Sequence, residues 1–581
     1  MVVEYTLDRF VREAREAIIA TQLAGAEHIE LVAPKPNIPA DLAFPTFKAA
    51  RERQIAPPQL ANELAQAIQP APSALMGGAV AAGPFLNFSI NTTNYVASVL
   101  DDVRRLGEHY GSSQLGVDKR VVIDYSAVNI AKTMHVGHIR STIIGQALYN
   151  IFKFLGYQVV GDNHLGDWGK QFGMNIAAVV RWGKPAGDNE DAIAELDKLY
   201  ARFSAMAKED SQYDDEARMW SLRLEQGDPT AVELWQWMVN LTLTANQYNY
   251  DRLGVKFDHT YGESFYAPMT DGVIQDTLAS GHAHRDEGGA VVVSELADNL
   301  PTFLLQRSDS GTLYHTRDMA TVKFRMQEFN PVQIIYVVDA RQELHFRQLF
   351  ALARAVGYVP PTTELIHIKF GTIFDQHGKP LSTRAGNMIY LADLLDDARN
   401  RARQVVDASS PDLTEAERAS VAETVGVGAV VYNDLYQDPR RNINLDWDRM
   451  LAIEGNSAPY IQYMYARCRS IVRRVQGEQS DMQVPVCDAR VLTHASELDL
   501  VRQLAKMPGA VREAGERYAT FVVAEWCYDT ARVFSAFYRD CPVVKAEDAE
   551  LRTARLALTA ATAQALRNGL GLLGVRVPER M

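Results

Sequence analysis

Val121-Val122-Ile123-Asp124-Tyr125-Ser126-Ala127-Val128-Asn129-Ile130-Ala131-Lys132-Thr133-Met134-His135-Val136-Gly137-His138 is the stretch on which the fold turns, because it sets two histidines around a glycine where a strand becomes a helix. Val121 to Tyr125 reads as a short apolar parallel strand. From His138 onward Ile139, Ile143, Ile144, Leu148, Ile151, Phe152 and Leu155 recur at helical spacing until Gly156 stops the run, and a second strand follows at Tyr157 to Val160. Such a unit aims the unpaired N–H groups and positive dipole end of the helix at whatever sits above the turn, which suits an anion. Gly137 has no side chain to hold a ligand away, and His135 and His138 can donate to charge growing on a phosphate oxygen. Two histidines so spaced also fit a helix N-terminal cap cluster or half of a metal site. The residues alone leave these readings open.

Working outward, the 581 residues suggest about four domains, and no apolar run reaches the ~18 to 20 residues that span a membrane. The start, Met1-Val2-Val3-Glu4-Tyr5-Thr6-Leu7-Asp8-Arg9, has neither the basic beginning nor the apolar core of a secretory signal, so a cytoplasmic protein is expected. Cys468, Cys487, Cys527 and Cys541 lie far apart with no C-x-x-C, which argues against a structural zinc and a disulfide framework. The net charge of −13 runs against an RNA partner, since phosphate contacts need positive charge. Residues 451–581, however, hold 17 Lys and Arg against 15 Asp and Glu, so the acidic excess lies elsewhere. Charge does not choose between an RNA-binding domain and a plain helical tail.

Residues 1–117 mix helical periodicity with an alternating run, Gly83-Pro84-Phe85-Leu86-Asn87-Phe88-Ser89-Ile90, as in a small α+β module. A core over 118–450 shows a second β-α-β unit in Ile334 to Val338, Phe346 to Val356 and Leu365 to Phe370. Between its halves, Asp188 to Gln247 reads as a helical insertion with Trp220, Trp235 and Trp237. From Ala398 the chain is almost wholly helical, and Gln437-Asp438-Pro439-Arg440-Arg441-Asn442 links to a last domain over 451–581.

Asp124 to His138 resembles the nucleotide-binding signature of class I aminoacyl-tRNA synthetases in the form used by arginyl-tRNA synthetases, Y-S-x-P-N-x-A-K-x-M-H-V-G-H-L-R-S-T. Val128 stands where that family has proline and Gln146 where it has aspartate; neither is an expected catalytic group. Asn163-His164-Leu165-Gly166-Asp167-Trp168-Gly169-Lys170-Gln171-Phe172-Gly173 and the terminus Gly569 to Met581 resemble further family segments in the same order. The resemblance implies a class I Rossmann-type α/β catalytic domain, an α+β N-terminal domain touching the outer corner of tRNA, and an all-helical C-terminal anticodon-binding domain. It also implies that ATP, with Mg²⁺ assisting, activates L-arginine to arginyl-adenylate, which then charges tRNA(Arg). The helical stretch near 398–450 would touch the tRNA stem. A monomer is expected. The insertion is too short for an editing domain, and a site that pairs a guanidinium needs none, because a wrong side chain leaves its charges unpaired.

Residue by residue, Tyr314-His315-Thr316-Arg317-Asp318 resembles the arginine-pocket segment: Tyr314 would lie against the substrate guanidinium and Asp318 would take its forked donors. Without the family, Asp318 beside Arg317 reads as a surface ion pair. Asp124 would be the second carboxylate facing the guanidinium, Asn129 would bond the substrate amine or carboxylate, and Gln342 would complete the amino-acid site. His345 resembles the residue approaching the adenosine end of ATP, or is a helix N-terminal residue with no ligand. His135, Gly137, His138, Ser382 and Arg384 would surround the rest of the nucleotide. The family's K-M-S-K-S loop is degenerate here: in His377-Gly378-Lys379-Pro380-Leu381-Ser382-Thr383-Arg384, Pro380 and Thr383 replace both signature lysines. Lys132 is the first candidate for the missing phosphate cation and Lys379 the second, with a solvated lysine the alternative for Lys132. In the last domain Arg467 and Arg474 share a helical face. Two rivals are another nucleotidyl-transferring H-x-G-H enzyme, which should lack the arginine-pocket segment, and a non-catalytic paralogue, which should have lost a histidine or Asp318.

Overall fold

The computed structural model describes residues 3–35, 37–294, 296, 300–375, 377–381, 388–477 and 483–581, without the Ser409 side chain. Ser382 and Arg384 lie outside the described residues. Near the N-terminus β1 (Leu42–Pro45), β2 (Met76–Ala82) and β3 (Phe85–Ile90) form an antiparallel sheet in the order β1-β3-β2. Gly83, at φ 57°, turns β2 into β3 with Pro84. Alternation in β3 buries Leu86 and Phe88 against helices Thr6–Ala20 and Pro57–Ala67, the α+β module expected.

The catalytic sheet is parallel. Its strands are β4 (Arg120–Asp124), β5 (Gln158–Asp162), β9 (Gln333–Asp339) and β10 (Glu364–Phe370), in the order β10-β9-β4-β5. Val121, Val122 and Ile123 are fully buried, as a strand covered on both faces requires. From β4 the chain goes through helix Val136–Phe154 to β5 on one side, then crosses to β9 on the other. The switch point, where open parallel sheets bind ligands, is therefore at the C-terminal ends of β4 and β9. Between them the antiparallel strands β6 (Ala283–Arg285), β7 (Val291–Val293) and β8 (Phe303–Gln306) form a small sheet that periodicity did not reveal.

The insertion is larger than its composition suggested. Helices Lys170–Trp182, Glu190–Glu209, Ser211–Glu225 and Pro229–Leu253 share a core of Phe172, Ile176, Phe203, Trp220, Leu234 and Met238. Trp168 packs edge-on to Trp235 with centroids 6.3 Å apart. After β10, β11 (Ile373–Phe374) pairs with β12 (Ile443–Asn444), tying the loop segment to the interdomain linker. The remainder is helical. Arg140, one turn into helix Val136–Phe154 and 1% exposed, is a buried joint between the halves of the molecule: its guanidinium pairs with Asp434 at 2.8 Å and donates to the carbonyls of Arg441 and Pro439. In helix Ala458–Gln476, Arg467 lies between the Tyr463 and Tyr538 rings, 4.5 and 4.6 Å from their centroids, while Arg474 is exposed.

Candidate active site

The turn leaving β4 is strained and braced. Ser126, Ala127 and Ala131 hold φ of 73°, 52° and 62°, left-handed conformations that cost side-chain-bearing residues about 1–3 kcal/mol each unless their surroundings impose them. Here they do. The Ser126 N–H donates to Ser141 Oγ at 3.0 Å, Ala127 N–H to Asn163 Oδ1 at 3.1 Å, and Ala131 N–H to Thr242 Oγ1 at 3.0 Å. Ser126 Oγ also lies 2.9 Å from the Tyr250 hydroxyl. Thr242 and Tyr250 belong to Pro229–Leu253, so the insertion braces the turn from behind.

His135 is the N-cap of helix Val136–Phe154, and the two histidines cap it reciprocally: Gly137 N–H donates to His135 Nδ1 and His135 N–H to His138 Nδ1, both at 3.1 Å. The rings lie 3.9 Å apart. Because each Nδ1 accepts, the hydrogen-bond network assigns the proton of each neutral imidazole to Nε2, leaving that N–H for a ligand. Burial pushes both pKa values down, that of His138 to about 3 with the adjacent His135 adding to the effect. Cap cluster and anion donor are thus one geometry, and both Nδ1 atoms are withheld from any metal. Among the described residues, the one group of three metal-competent side chains is Glu27, His28 and Glu52, in the N-terminal module. The reason for Gly137 also changes: a Cβ there would come within 2.9 Å of His135 Cε1, so the glycine makes room for the capping imidazole.

The chain that follows the degenerate loop is docked beside this turn. Val136 N–H donates to Ile389 O at 2.9 Å, Leu391 N–H to Met134 O at 3.0 Å, and His135 bridges Tyr390. Lys379 is exposed on a tight turn closed by Asp375, whose Oδ1 accepts its N–H at 2.8 Å. Lys132 is not solvated alone: its ammonium pairs with Asp197 of helix Glu190–Glu209 and lies 4.3 Å from the Tyr200 ring centroid.

Helix Tyr314–Phe329 places a second cluster near the sheet end. Asp318 Oδ2 is 2.5 Å from His345 Nε2, and His345 Nδ1 is 3.1 Å from His315 Nε2. Both ring nitrogens of His345 are therefore used inside the protein. Burial pushes the Asp318 carboxyl up, but the hydrogen bond from His345, with His164 and Arg317 nearby, outweighs it and holds the group below the usual range. His164 Nε2 lies 4.0 Å from Asp318 Oδ1, and neither His164 ring nitrogen has a hydrogen-bond partner. Tyr314 is 68% exposed and carries the Arg317 guanidinium 5.1 Å from its ring centroid. Asn129 and Gln342 are exposed near the ends of β4 and β9.

One carboxylate meets an unexpected partner, and another was missed. Asp124 was expected to face the substrate guanidinium, but the guanidinium it meets belongs to Arg325: Nη2 lies 2.7 Å from both Asp124 Oδ2 and Asp162 Oδ2. Burial still dominates, and the Asp124 carboxyl is raised. Glu263 was missed. Glu263 is 9% exposed, and its carboxylate lies 3.2 Å from Arg317 Nε and has its pKa raised by burial. The Asn163 to Asp167 motif sets it in place: Glu263 N–H donates to Leu165 O at 3.0 Å, and Asp167 accepts from Ser264 N–H at 2.8 Å and from its hydroxyl at 2.6 Å. A Cβ on Gly262 would strike Asp167 Oδ2 at 2.1 Å. The Gly-Glu pair at 262–263 is the sole local signal.

Residues 102–447 match the family model described as the catalytic domain of class I (R) tRNA synthetases, 461–581 the DALR anticodon binding domain, and 9–90 the arginyl-tRNA synthetase N-terminal domain. An arginine--tRNA ligase of Chloroflexus aurantiacus is 60% identical over 577 residues, spanning 99% of this chain and 100% of its own; one from Lactococcus lactis subsp. cremoris is 38% identical over 575 residues, 99% of each. A solved arginyl-tRNA synthetase from Plasmodium falciparum superposes with a TM-score of 0.80 at 22% identity over the whole of both chains, a likeness of fold.

Proposed function

Given that the chain belongs to the arginyl-tRNA synthetases, we propose that the switch-point cleft between β4 and β9 is where arginine meets ATP. The protein is an arginine--tRNA ligase: ATP, arginine and tRNA are its substrates, and its C-terminal domain is of the anticodon-binding type. The observation that carries the site is the reciprocal histidine cap, which turns two neutral imidazoles into rigid Nε2–H donors above a helix N-terminus.

In the proposed mechanism ATP enters as its magnesium complex. An oxygen of the arginine carboxylate attacks the α-phosphorus, and the bond to pyrophosphate breaks. A ribose hydroxyl of the tRNA terminal adenosine then attacks the acyl carbon, and AMP leaves. Neither step needs a protein nucleophile; positioning and phosphate-charge stabilisation suffice. His135 and His138 donate to phosphate oxygens. Asp318 and Glu263 receive the guanidinium with Tyr314 beside it, Asn129 and Gln342 hold the amine and carboxylate end, and Asp124, neutralised by Arg325, shapes the floor. Lys132 is the first cation for pyrophosphate. Its pair with Asp197 joins half-exposed groups and is worth only about 0–1 kcal/mol, so a polyphosphate can displace it. Lys379 and Arg384 would serve from the loop. The enzyme is further proposed to act as a cytoplasmic monomer that needs tRNA before it activates arginine. Pyrophosphate exchange with each of the twenty amino acids, with and without tRNA, tests this. Exchange confined to arginine and requiring tRNA is expected; exchange with another amino acid would overturn the pocket, and exchange without tRNA the order of binding.

A further inference from the structure

Behind Asp318 runs a chain of hydrogen bonds whose direction is forced at every link. It begins at the Pro301 carbonyl, which can only accept and receives Gln348 Nε2–H at 2.9 Å. That contact turns the buried Gln348 amide so that its oxygen faces His315 Nε2 at 3.2 Å, and an amide oxygen cannot donate. His315 Nε2 must then carry a proton, and a protonated ring nitrogen has no lone pair to accept with, so at 3.1 Å it can only share that one N–H with His345 Nδ1, which accepts. His345, with Nδ1 accepting, carries its proton on Nε2 and aims it at Asp318 Oδ2, 2.5 Å away. Aromatic neighbours hold the rings: Phe303 lies 4.3 Å from the His315 centroid and Phe346 5.4 Å from that of His345.

The consequence is electrostatic. An imidazolium at His345 would present a second N–H on Nδ1, facing the N–H of His315, so the chain opposes that charge state. A neutral His345 gives Asp318 a hydrogen bond without cancelling its charge; an imidazolium would make the pair net neutral and weaken its attraction for a cationic substrate. We propose that Gln348, His315 and His345 are positioning residues for arginine recognition, a relay anchored on Pro301 that reserves the charge of Asp318 for the substrate guanidinium. This rests on the reading of Asp318 given above. Among the described residues, the other charged or titratable groups around the pair are His164 at 4.0 Å from Asp318 Oδ1, Arg317 and Tyr314 on the same helix, Glu263 on the neighbouring short helix, Tyr336 on β9, and Asp124. His315 stays neutral, its pKa pushed down to about 4 chiefly by burial.

The test is the arginine KM of the full-length enzyme, by pyrophosphate exchange with tRNA present, between pH 8 and 6. Gln348→Met removes the anchor while keeping length, and His315→Phe keeps the ring but removes the N–H, which covers a folding failure of the first. In either, no N–H is held against His345 Nδ1, so the arginine KM should rise severalfold as the pH is lowered from 8 to 6, with kcat and the ATP KM little changed. Adding His345→Gln, whose amide can donate to Asp318 but cannot take a proton, should abolish the rise. A pH dependence equal to that of wild type in both relay variants, or one that survives His345→Gln, overturns the relay. Asp318→Asn separates the two levels: if it leaves the arginine KM unchanged, the reading of Asp318 itself fails; if it raises KM while the relay variants do not, the relay alone fails.

Discussion

Replacing His138 by asparagine and by glutamine separates the two jobs its ring performs. Asparagine sets an acceptor close to the position of Nδ1 and should keep the cap on His135 N–H, now 3.1 Å long, but has nothing at Nε2. Glutamine reaches the Nε2 position with an amide N–H. A charge-assisted hydrogen bond contributes about 1.5–3 kcal/mol, and one oxyanion-type donor about 2.7–4 kcal/mol in the transition state. At ~1.4 kcal/mol per decade, His138→Asn should slow adenylate formation about 10²-fold, and His138→Gln should recover roughly a decade of that. The cap adds a second, independent reading: His138→Ala should lose about 1 kcal/mol of stability that His138→Asn retains. The assay is single-turnover adenylate formation with tRNA bound, alongside urea unfolding of each variant. Asparagine as fast as wild type, with glutamine slow, would place the useful nitrogen at Nδ1 and refute the tautomer argument.

The same ring makes a pH prediction. Its pKa is lowered from the ordinary imidazole value to about 3, so above ~6.5 the neutral form favours the fold, and that contribution is lost as pH falls toward 3 because the unfolded chain takes up the proton first; acid unfolding scans should show less pH dependence in His138→Asn than in wild type. Gly137→Ala forces a methyl to within 2.9 Å of the His135 ring, and should cut adenylate formation at least about tenfold while changing the arginine KM little in steady-state exchange. Lys132→Ala should lower the single-turnover rate more than Lys379→Ala does; the reverse order would give the phosphate role to the degenerate loop. Arg140→Met leaves Asp434 buried without its partner and should cost about 3–5 kcal/mol, while Arg140→Met combined with Asp434→Leu should restore most of it, as urea titrations will read.

The histidine turn was legible from sequence because its decisive contacts span two and three residues: backbone geometry at a strand-to-helix turn dictates a cap wherever the side chains allow one. The apolar runs likewise announced the central strands β4 and β9, where burial on both faces demands them, and the less buried edge strands β5 and β10. Strand order was another matter. Asp124 lies opposite Tyr336 because β4 pairs with β9, and that pairing lets Arg325, 201 residues along the chain, take the carboxylate assigned to substrate. His345 turned to Asp318, Lys132 to Asp197, and Glu263 emerged at the start of a short helix, Glu263–Tyr266, with no pattern of its own, for the same reason. Local propensity says where a strand or helix starts, whereas the partner of a charge depends on which distant elements the packed core makes neighbours, and only the tertiary structure decides that.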